Sequence, residues 1–422
     1  MYKLKYNNYM PLFIIIAFYA VITLGDWIFR FQWYGWHNRI FILSASEAND
    51  NNIHADDVAF LGPGQPLTVN HRPEGRGGNL SHLIPVDSGA VPFTEPRPAM
   101  DIVYDEFGFL NNPPVKDHYF PVLVAGDSFM TAQTTMSNTL AGLLARELNV
   151  GVYNYAFAGY GATFAIQRFI DDPRFLNNPP RILLWGLYEQ HLISTRYWPE
   201  LYDKISSANK TEKATGSAGG SLQPKTSEYG TIDWNILAPK NLGMEIKKTS
   251  IMAQQFRNMR EILKYHILDQ LPDDLIPRED VGILFCRWTI DDMALNWEER
   301  NSPYIVNVIS MLSEHLRQRN IQLLVFLIPA KENVYRSVWP DNSIEFKAVL
   351  SSEDNLLKIA NALSQLDIPA IHLLPEFRTA VDRGTFIYWR DDTHWNPTGA
   401  ALAARLIGNE IKERGLLSVR NP

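Results

Sequence analysis

Between residues 120 and 414 the chain alternates two kinds of segment. Short apolar runs stand at 120–125, 150–156, 181–187, 321–329 and 370–374. Between and after them, apolar residues recur with helical spacing at 140–148, 163–171, 304–319, 354–366 and 398–414. Strands separated by helices cannot close as hairpins. They join by crossovers, which makes the sheet parallel and puts helices on both of its faces. The predicted fold class is α/β, a three-layer doubly wound parallel sheet, with any site at the carboxyl ends of the strands.

Two places in that pattern concentrate reactive groups. Gly126-Asp127-Ser128 is a turn directly after the first apolar run. Asp391-Asp392-Thr393-His394-Trp395-Asn396-Pro397 stands just before the last helix. A serine hydroxyl is a weak nucleophile until a histidine takes its proton, and that histidine needs an acid to fix its tautomer and stabilise its charge. Ser128 and His394 are the candidates, with Asp392 or Asp391 as the acid. Each has a plainer reading: Ser128 as a turn or cap residue, and His394 as part of the helix entry that Asn396-Pro397 marks. Asp127 is expected to organise its turn through backbone bonds.

These motifs resemble the SGNH/GDSL hydrolase superfamily. Its first block, Gly-Asp-Ser after the first strand, corresponds to Gly126, Asp127 and Ser128. Its second, Asn-x-x-x-x-Gly, corresponds to Asn154 through Gly159, and its last, Asp-x-x-His, to Asp391 through His394. Asp392-Thr393-His394-Trp395 is more narrowly similar to the alginate O-acetyltransferase-like branch, as is the Pro329, Lys331, Tyr335 series. The resemblance covers roughly residues 100–415 with a long interruption, and implies a flavodoxin-like strand order. It favours Asp392 as the orienting acid; the superfamily spacing alone points to Asp391. The third block, Gly-x-Asn-Asp, has no counterpart in Gly186-Leu187-Tyr188-Glu189-Gln190. An ionised Glu189 only accepts hydrogen bonds, whereas Gln190 can donate. The expected oxyanion donors are therefore the Ser128 and Gly159 amides, with Gln190 as a side-chain candidate. Lys331, Tyr335 and Trp395 are candidates for binding a sugar, each with a packing role as the alternative.

Residues 11–29 are the one stretch with the character of a membrane span. A helix of that length just crosses a ~30 Å hydrocarbon core. Lys3 and Lys5 precede it, and Tyr6, Tyr9, Trp27, Trp33 and Trp36 flank it as interfacial aromatics. Arg30 and Arg39 follow it, so the flanking charges are nearly balanced. The shortness of the tail and what the resemblance implies make residues 1–30 the expected cytoplasmic tail and anchor, with a cleaved signal peptide as the rival. Residues 31–115 read as an irregular extracytoplasmic linker, and 116–422 as the catalytic domain. A low-complexity insertion interrupts that domain near 200–250. Within it, 206–227 reads as a mobile loop, with a lid over the site as the lesser reading.

The net charge of −7 and the lack of any basic run argue against nucleic-acid binding. Cys286 is the only cysteine, so neither an internal disulfide nor a multi-cysteine metal site can form. No motif calls for a metal or cofactor. The function that the resemblance implies is O-acetylation of an exopolysaccharide or cell-surface glycan, from the periplasmic side of a bacterial inner membrane. The resemblance implies a multi-pass membrane acyltransferase as the source of the acetyl group. A carbohydrate acetylesterase using the same residues is the alternative, and a non-catalytic polysaccharide-binding scaffold is a third reading.

Overall fold

A computed structural model describes residues 62–417 apart from 63, 77, 85–92, 132–133, 194–197, 216–269 and 295–300. The chain forms two compact units, and the one comprising residues 54–83, 88–220 and 273–422 contains every element discussed below. Of the other unit (1–53, 84–87 and 221–272), only residues 84 and 270–272 are among those described.

Four short strands come first: β1 (Val69–Arg72), β2 (Gly75–Arg76), β3 (Pro96–Arg97) and β4 (Met100–Val103). β1 pairs antiparallel with β4, and β2 with β3. The central layer is a five-stranded sheet of β5 (Val122–Gly126), β6 (Val152–Ala156), β7 (Ile182–Tyr188), β10 (Gln322–Ile328) and β11 (Ala370–His372). Every neighbouring pair in it is parallel, in the order β11-β10-β7-β5-β6. A second hairpin, β8 (Leu275–Arg278) with β9 (Ile283–Cys286), stands outside that sheet.

The helices are α1 (Leu140–Leu148), α2 (Ala162–Ile170), α3 (Pro173–Asn177), α4 (Glu189–Ile193), α5 (Trp198–Thr215), α6 (Arg287–Ala294), α7 (Asn301–Gln318), α8 (Lys331–Val334), α9 (Ile344–Gln365), α10 (Leu374–Asp382) and α11 (Pro397–Glu413). The residues of β5 and β7 are buried on both sides, and they divide by parity. Val122, Val124, Ile182 and Leu184 face a core completed by α1 and α11. Leu123, Ala125, Leu183, Trp185 and Leu187 face a second core completed by α2, α5 and α7. Continuous apolar runs are therefore what this sheet requires, and the three-layer α/β expectation holds.

β5 is flanked by β6 on one side and β7 on the other, so the chain moves outward to β6 and then crosses back past β5 to β7. In open α/β sheets ligands bind at the carboxyl ends beside such a reversal, and Ser128 stands directly after β5 at that end.

Two regions differ from the sequence reading. Residues 206–215, read as part of a mobile loop, are the second half of α5. Trp198, Leu201 and Ile205 on its first half are fully or nearly fully buried, which anchors the helix despite its polar composition. Nor is the stretch before residue 115 merely irregular. Buried Asp105 accepts from the Phe107 and Phe109 amides, from Asn111 Nδ2 and from Tyr153 Oη on β6, which fastens it to the sheet. Residues 11–29, read as the membrane anchor, lie outside the described residues. No helix among the described residues is long and apolar enough to cross a membrane.

Candidate active site

Ser128 opens a single 3-10 turn, Ser128–Met130, at the end of β5. Asp127 caps that turn: its Oδ1 accepts from the Phe129 amide at 2.9 Å. This is the backbone role expected of it. His394 lies in an excursion before α11. The excursion is closed by a Tyr388–Trp395 bridge, by Trp389 N donating to His394 O (3.2 Å) and by Asn396 N donating to Ile387 O (3.0 Å). Asn396 then caps α11, its Oδ1 accepting from the Thr398 and Gly399 amides with Pro397 in the first turn.

Ser128 Oγ and His394 Nε2 are 2.7 Å apart. His394 Nδ1 is 2.6 Å from Asp392 Oδ1, which also accepts from the His394 amide at 2.9 Å. A carboxylate only accepts, so Nδ1 carries the proton and Nε2 is left to accept from the serine. Burial works to raise the Asp392 carboxyl. The hydrogen bond and charge of His394, with amides from His394 and Asn79, outweigh it and hold the pKa below the ordinary value. The arrangement can therefore pull the proton from Ser128 while an ionised acid steadies the imidazolium.

Asp391 is differently occupied. It is fully buried, its Oδ1 3.0 Å from Arg97 Nη2 and its Oδ2 accepting from the Glu95 amide at 3.2 Å. Of the two acids left open by the sequence, the geometry pairs Asp392 with the imidazole and Asp391 with an arginine.

The remaining support comes from a segment that sequence reasoning treated as linker. The Asn79 amide donates to Asp392 Oδ2 at 3.0 Å, and the Asn79 side chain both donates to Thr393 Oγ1 and accepts from the Thr393 amide. The Arg97 guanidinium also lies 3.8 Å from Asp392 Oδ2 and stacks 3.6 Å over the Trp389 ring. One face of Trp389 is thus taken by Arg97. A Cβ on Gly78 would come within 2.1 Å of Asp391 O, so only glycine allows this close approach. Gly78→Ala is accordingly expected to displace Asn79 from Asp392 and lower turnover, with little change in far-UV circular dichroism.

Comparison with known proteins fits this geometry. The SGNH hydrolase-like domain of the acetyltransferase AlgX matches residues 282–421, the part that holds Asp391 through Trp395. The resemblance to the alginate O-acetyltransferase-like branch of the SGNH hydrolases holds. The chain is also similar to proteins named probable alginate O-acetylase AlgJ. It is 36% identical over 111 residues to that of Pseudomonas aeruginosa, covering 26% of either chain. To that of Azotobacter vinelandii it is 30% identical over 110 residues, 26% of this chain and 27% of the other. To that of Pseudomonas fluorescens it is 30% identical over 131 residues, 30% of this chain and 32% of the other. The chain thus matches about a quarter to a third of the length of these relatives.

The three candidates for sugar binding take the packing role that stood as their alternative, as interior parts of this SGNH-like fold. Lys331 is fully buried, and its Nζ donates to the carbonyls of Leu284 (2.7 Å), Arg390 (2.9 Å) and Asp392 (3.0 Å). Burial pushes its pKa down, and likewise pushes that of the neighbouring Glu332 up. The ammonium fastens the loop bearing Asp392 to β9, and it cannot reach a ligand. Tyr335 is 3% exposed and its Oη accepts from the Ile387 amide at 3.3 Å. Trp395 is fully buried, with its ring 5.3 Å from Phe129 and 6.3 Å from Phe377. Lys331→Met removes the donor those carbonyls share and is expected to cost about 1–3 kcal/mol of stability, read as a lower urea midpoint.

The oxyanion candidates are placed as follows. Gly159 sits in an exposed turn after β6 with φ +86°, a region that glycine enters freely. Phe157 N donates to Gly126 O at 3.0 Å, which ties that turn to the one carrying Ser128. Gln190 is half-buried in the first turn of α4. Glu189 faces inward, accepting from the Ala330 amide, Asn333 Nδ2 and Ser352 Oγ. Sequence reasoning also missed His191, a half-buried imidazole whose Nδ1 lies 3.0 Å from Asp127 Oδ2. Burial opposes ionisation of Asp127, yet His191 above all keeps its pKa below the ordinary value. The signal was present: a histidine three residues beyond the end of β7 falls at the carboxyl ends, where a site is expected.

Proposed function

We propose that this chain is an O-acetyltransferase that modifies an exopolysaccharide or cell-surface glycan through an acyl-enzyme on Ser128. The observation that carries the reading is the Ser128–His394–Asp392 hydrogen-bond chain at the carboxyl end of β5. The likeness to proteins named alginate O-acetylases supports transfer over hydrolysis and an alginate-like acceptor.

In the first step Ser128 Oγ attacks the acetyl carbonyl of the donor as its proton passes to His394 Nε2. Asp392 stabilises the imidazolium, and the Ser128 and Gly159 amides, with Gln190 as a further donor, receive the oxyanion. The donor's leaving group departs with the proton held on His394. A glycan hydroxyl then attacks the acetyl-serine, its proton passes to His394, and Ser128 leaves by taking that proton back. Water in place of the glycan would make the same site an esterase.

The reading extends to the part of the chain outside the described residues. Residues 11–29 anchor the protein in the inner membrane, the SGNH-like unit works on the periplasmic side, and a multi-pass membrane acyltransferase hands it the acetyl group. The apolar span and its aromatic flanks support this topology. Alkaline phosphatase fused after residue 100 is expected to be active in cells, with the original amino terminus retained; inactive fusions would overturn the topology.

Product partition tests the chemistry. Full-length protein given p-nitrophenyl acetate and an oligomannuronate is expected to yield acetylated sugar. Free acetate alone, at every glycan tried, would favour the esterase.

A further inference from the structure

We propose that Tyr160 is a stacking platform for a pyranose ring of the acceptor glycan, at the mouth of the Ser128 site. The proposal rests on the transferase reading above and names the acceptor subsite that reading requires.

Placement comes first. β5 and β6 are parallel neighbours with Ala156 opposite Gly126, and the Phe157 amide bonds Gly126 O. The turn at residues 157–160 therefore rises beside the turn carrying Ser128. Tyr160 directly follows Gly159, the residue proposed to hold the oxyanion. An acceptor hydroxyl approaching the acyl-serine brings its sugar ring to this part of the sheet's carboxyl edge.

The second observation is that the ring is both exposed and braced. Tyr160 is 52% exposed. It stacks on Phe164 with centroids 4.6 Å apart and planes 21° from parallel, and it meets Phe157 edge-on at 6.3 Å. Phe157 in turn packs against buried Phe109 and Tyr155. The exposed ring is thus the solvent end of an aromatic series rooted in the core. Its backbone is set by the Tyr160 amide donating to Phe157 O at 3.3 Å and by positive-φ glycines on either side, Gly159 and Gly161. One aromatic face is spent on Phe164, and half of the residue's surface remains in contact with solvent.

A rigid aromatic of this kind offers a large contact area with little entropy left to lose on binding. A pyranose presents a face of C–H groups whose hydrogens carry partial positive charge, which complements the negative face of the ring. Its hydroxyls stay at the perimeter, free for water and for the catalytic groups. The acetyl group has no such face, so the platform serves the acceptor, and its affinity is read with glycan in the absence of donor. The plainer role, shielding Phe164 from water, would affect stability and leave glycan affinity alone.

Binding is measured by isothermal titration of full-length Ser128→Ala protein, which cannot turn over, with an oligomannuronate and with cellohexaose. Adding Tyr160→Ala is expected to weaken binding roughly ten-fold for whichever glycan the parent binds. Tyr160→Phe, which keeps the ring, is expected to bind as the parent does. In the protein retaining Ser128, Tyr160→Ala is expected to raise the acceptor KM far more than it lowers kcat. Equal affinity of Tyr160→Ala and its parent would overturn the platform, as would failure of the parent to bind either glycan. Labelling of Ser128 by p-nitrophenyl acetate needs no glycan. A serine that labels while the tyrosine variants bind alike therefore sinks the platform alone, whereas a serine that never labels sinks the transferase reading.

Discussion

Asp392→Asn is expected to slow acylation of Ser128 about ten-thousand-fold, while Asp391→Asn leaves the rate per folded molecule within about ten-fold. The asymmetry follows from what each acid touches. Asp392 Oδ1 receives the His394 Nδ1 proton at 2.6 Å, and an amide there can turn its own N–H toward the ring and favour the wrong tautomer. Asp391 meets Arg97 and the Glu95 amide, and has no share in holding the imidazole. Single-turnover kinetics with p-nitrophenyl acetate separate the two variants; the reverse ranking would transfer the orienting role to Asp391. The pH dependence of stability follows from the same carboxyl. Its folded pKa lies below the unfolded value, so its stabilisation is complete above the unfolded pKa and is lost as pH falls through the folded one. Asp392→Asn removes that acid-side loss, which a denaturant midpoint measured against pH would show.

Asp391→Ala is expected to destabilise the fold by about 3–5 kcal/mol. Arg97 and Asp391 have side-chain exposures of 6% and 0%, so water cannot replace the lost partner. The guanidinium would remain buried with, among the described residues, the more distant Asp392 as its counter-charge, 3.8 Å from its Oδ2. Replacing both residues together with apolar ones is expected to cost less than Asp391→Ala alone, since the penalty lies in the orphaned charge. Thermal or urea unfolding of the single and double variants measures this. A double variant less stable than Asp391→Ala would show that the ion pair contributes more than it costs to bury.

The sheet was legible because β5, β7 and nearly all of β10 are buried on both faces and so read as apolar runs, and because crossover helices keep their periodicity. Ser128 and His394 were legible because both stand at transitions between elements, where a reactive side chain can face a crevice. The support around them was not. Asn79 and Arg97 reach Asp392 and Asp391 through folding alone, from a segment whose Gly, Pro and Asn content reads as loop. Lys331 and Tyr335 carry the polar groups expected of a glycan-binding site, but sequence reports a charge and not its solvation. In the fold, the Lys331 ammonium is consumed by backbone carbonyls. α5 was hidden because its few buried anchors, Trp198, Leu201 and Ile205, sit in an otherwise polar stretch. The β8–β9 hairpin was hidden because it packs outside the alternating pattern that revealed the sheet.

Intact-protein and peptide mass spectrometry after brief exposure of the full-length chain to p-nitrophenyl acetate is the most direct measurement of the proposed chemistry. A single acetyl group is expected on the peptide carrying Ser128, absent from Ser128→Ala and strongly reduced in Asp392→Asn, and discharged when an acceptor oligosaccharide is added. No adduct on Ser128, or an adduct that survives Ser128→Ala on another residue and still passes to the glycan, would contradict the serine mechanism.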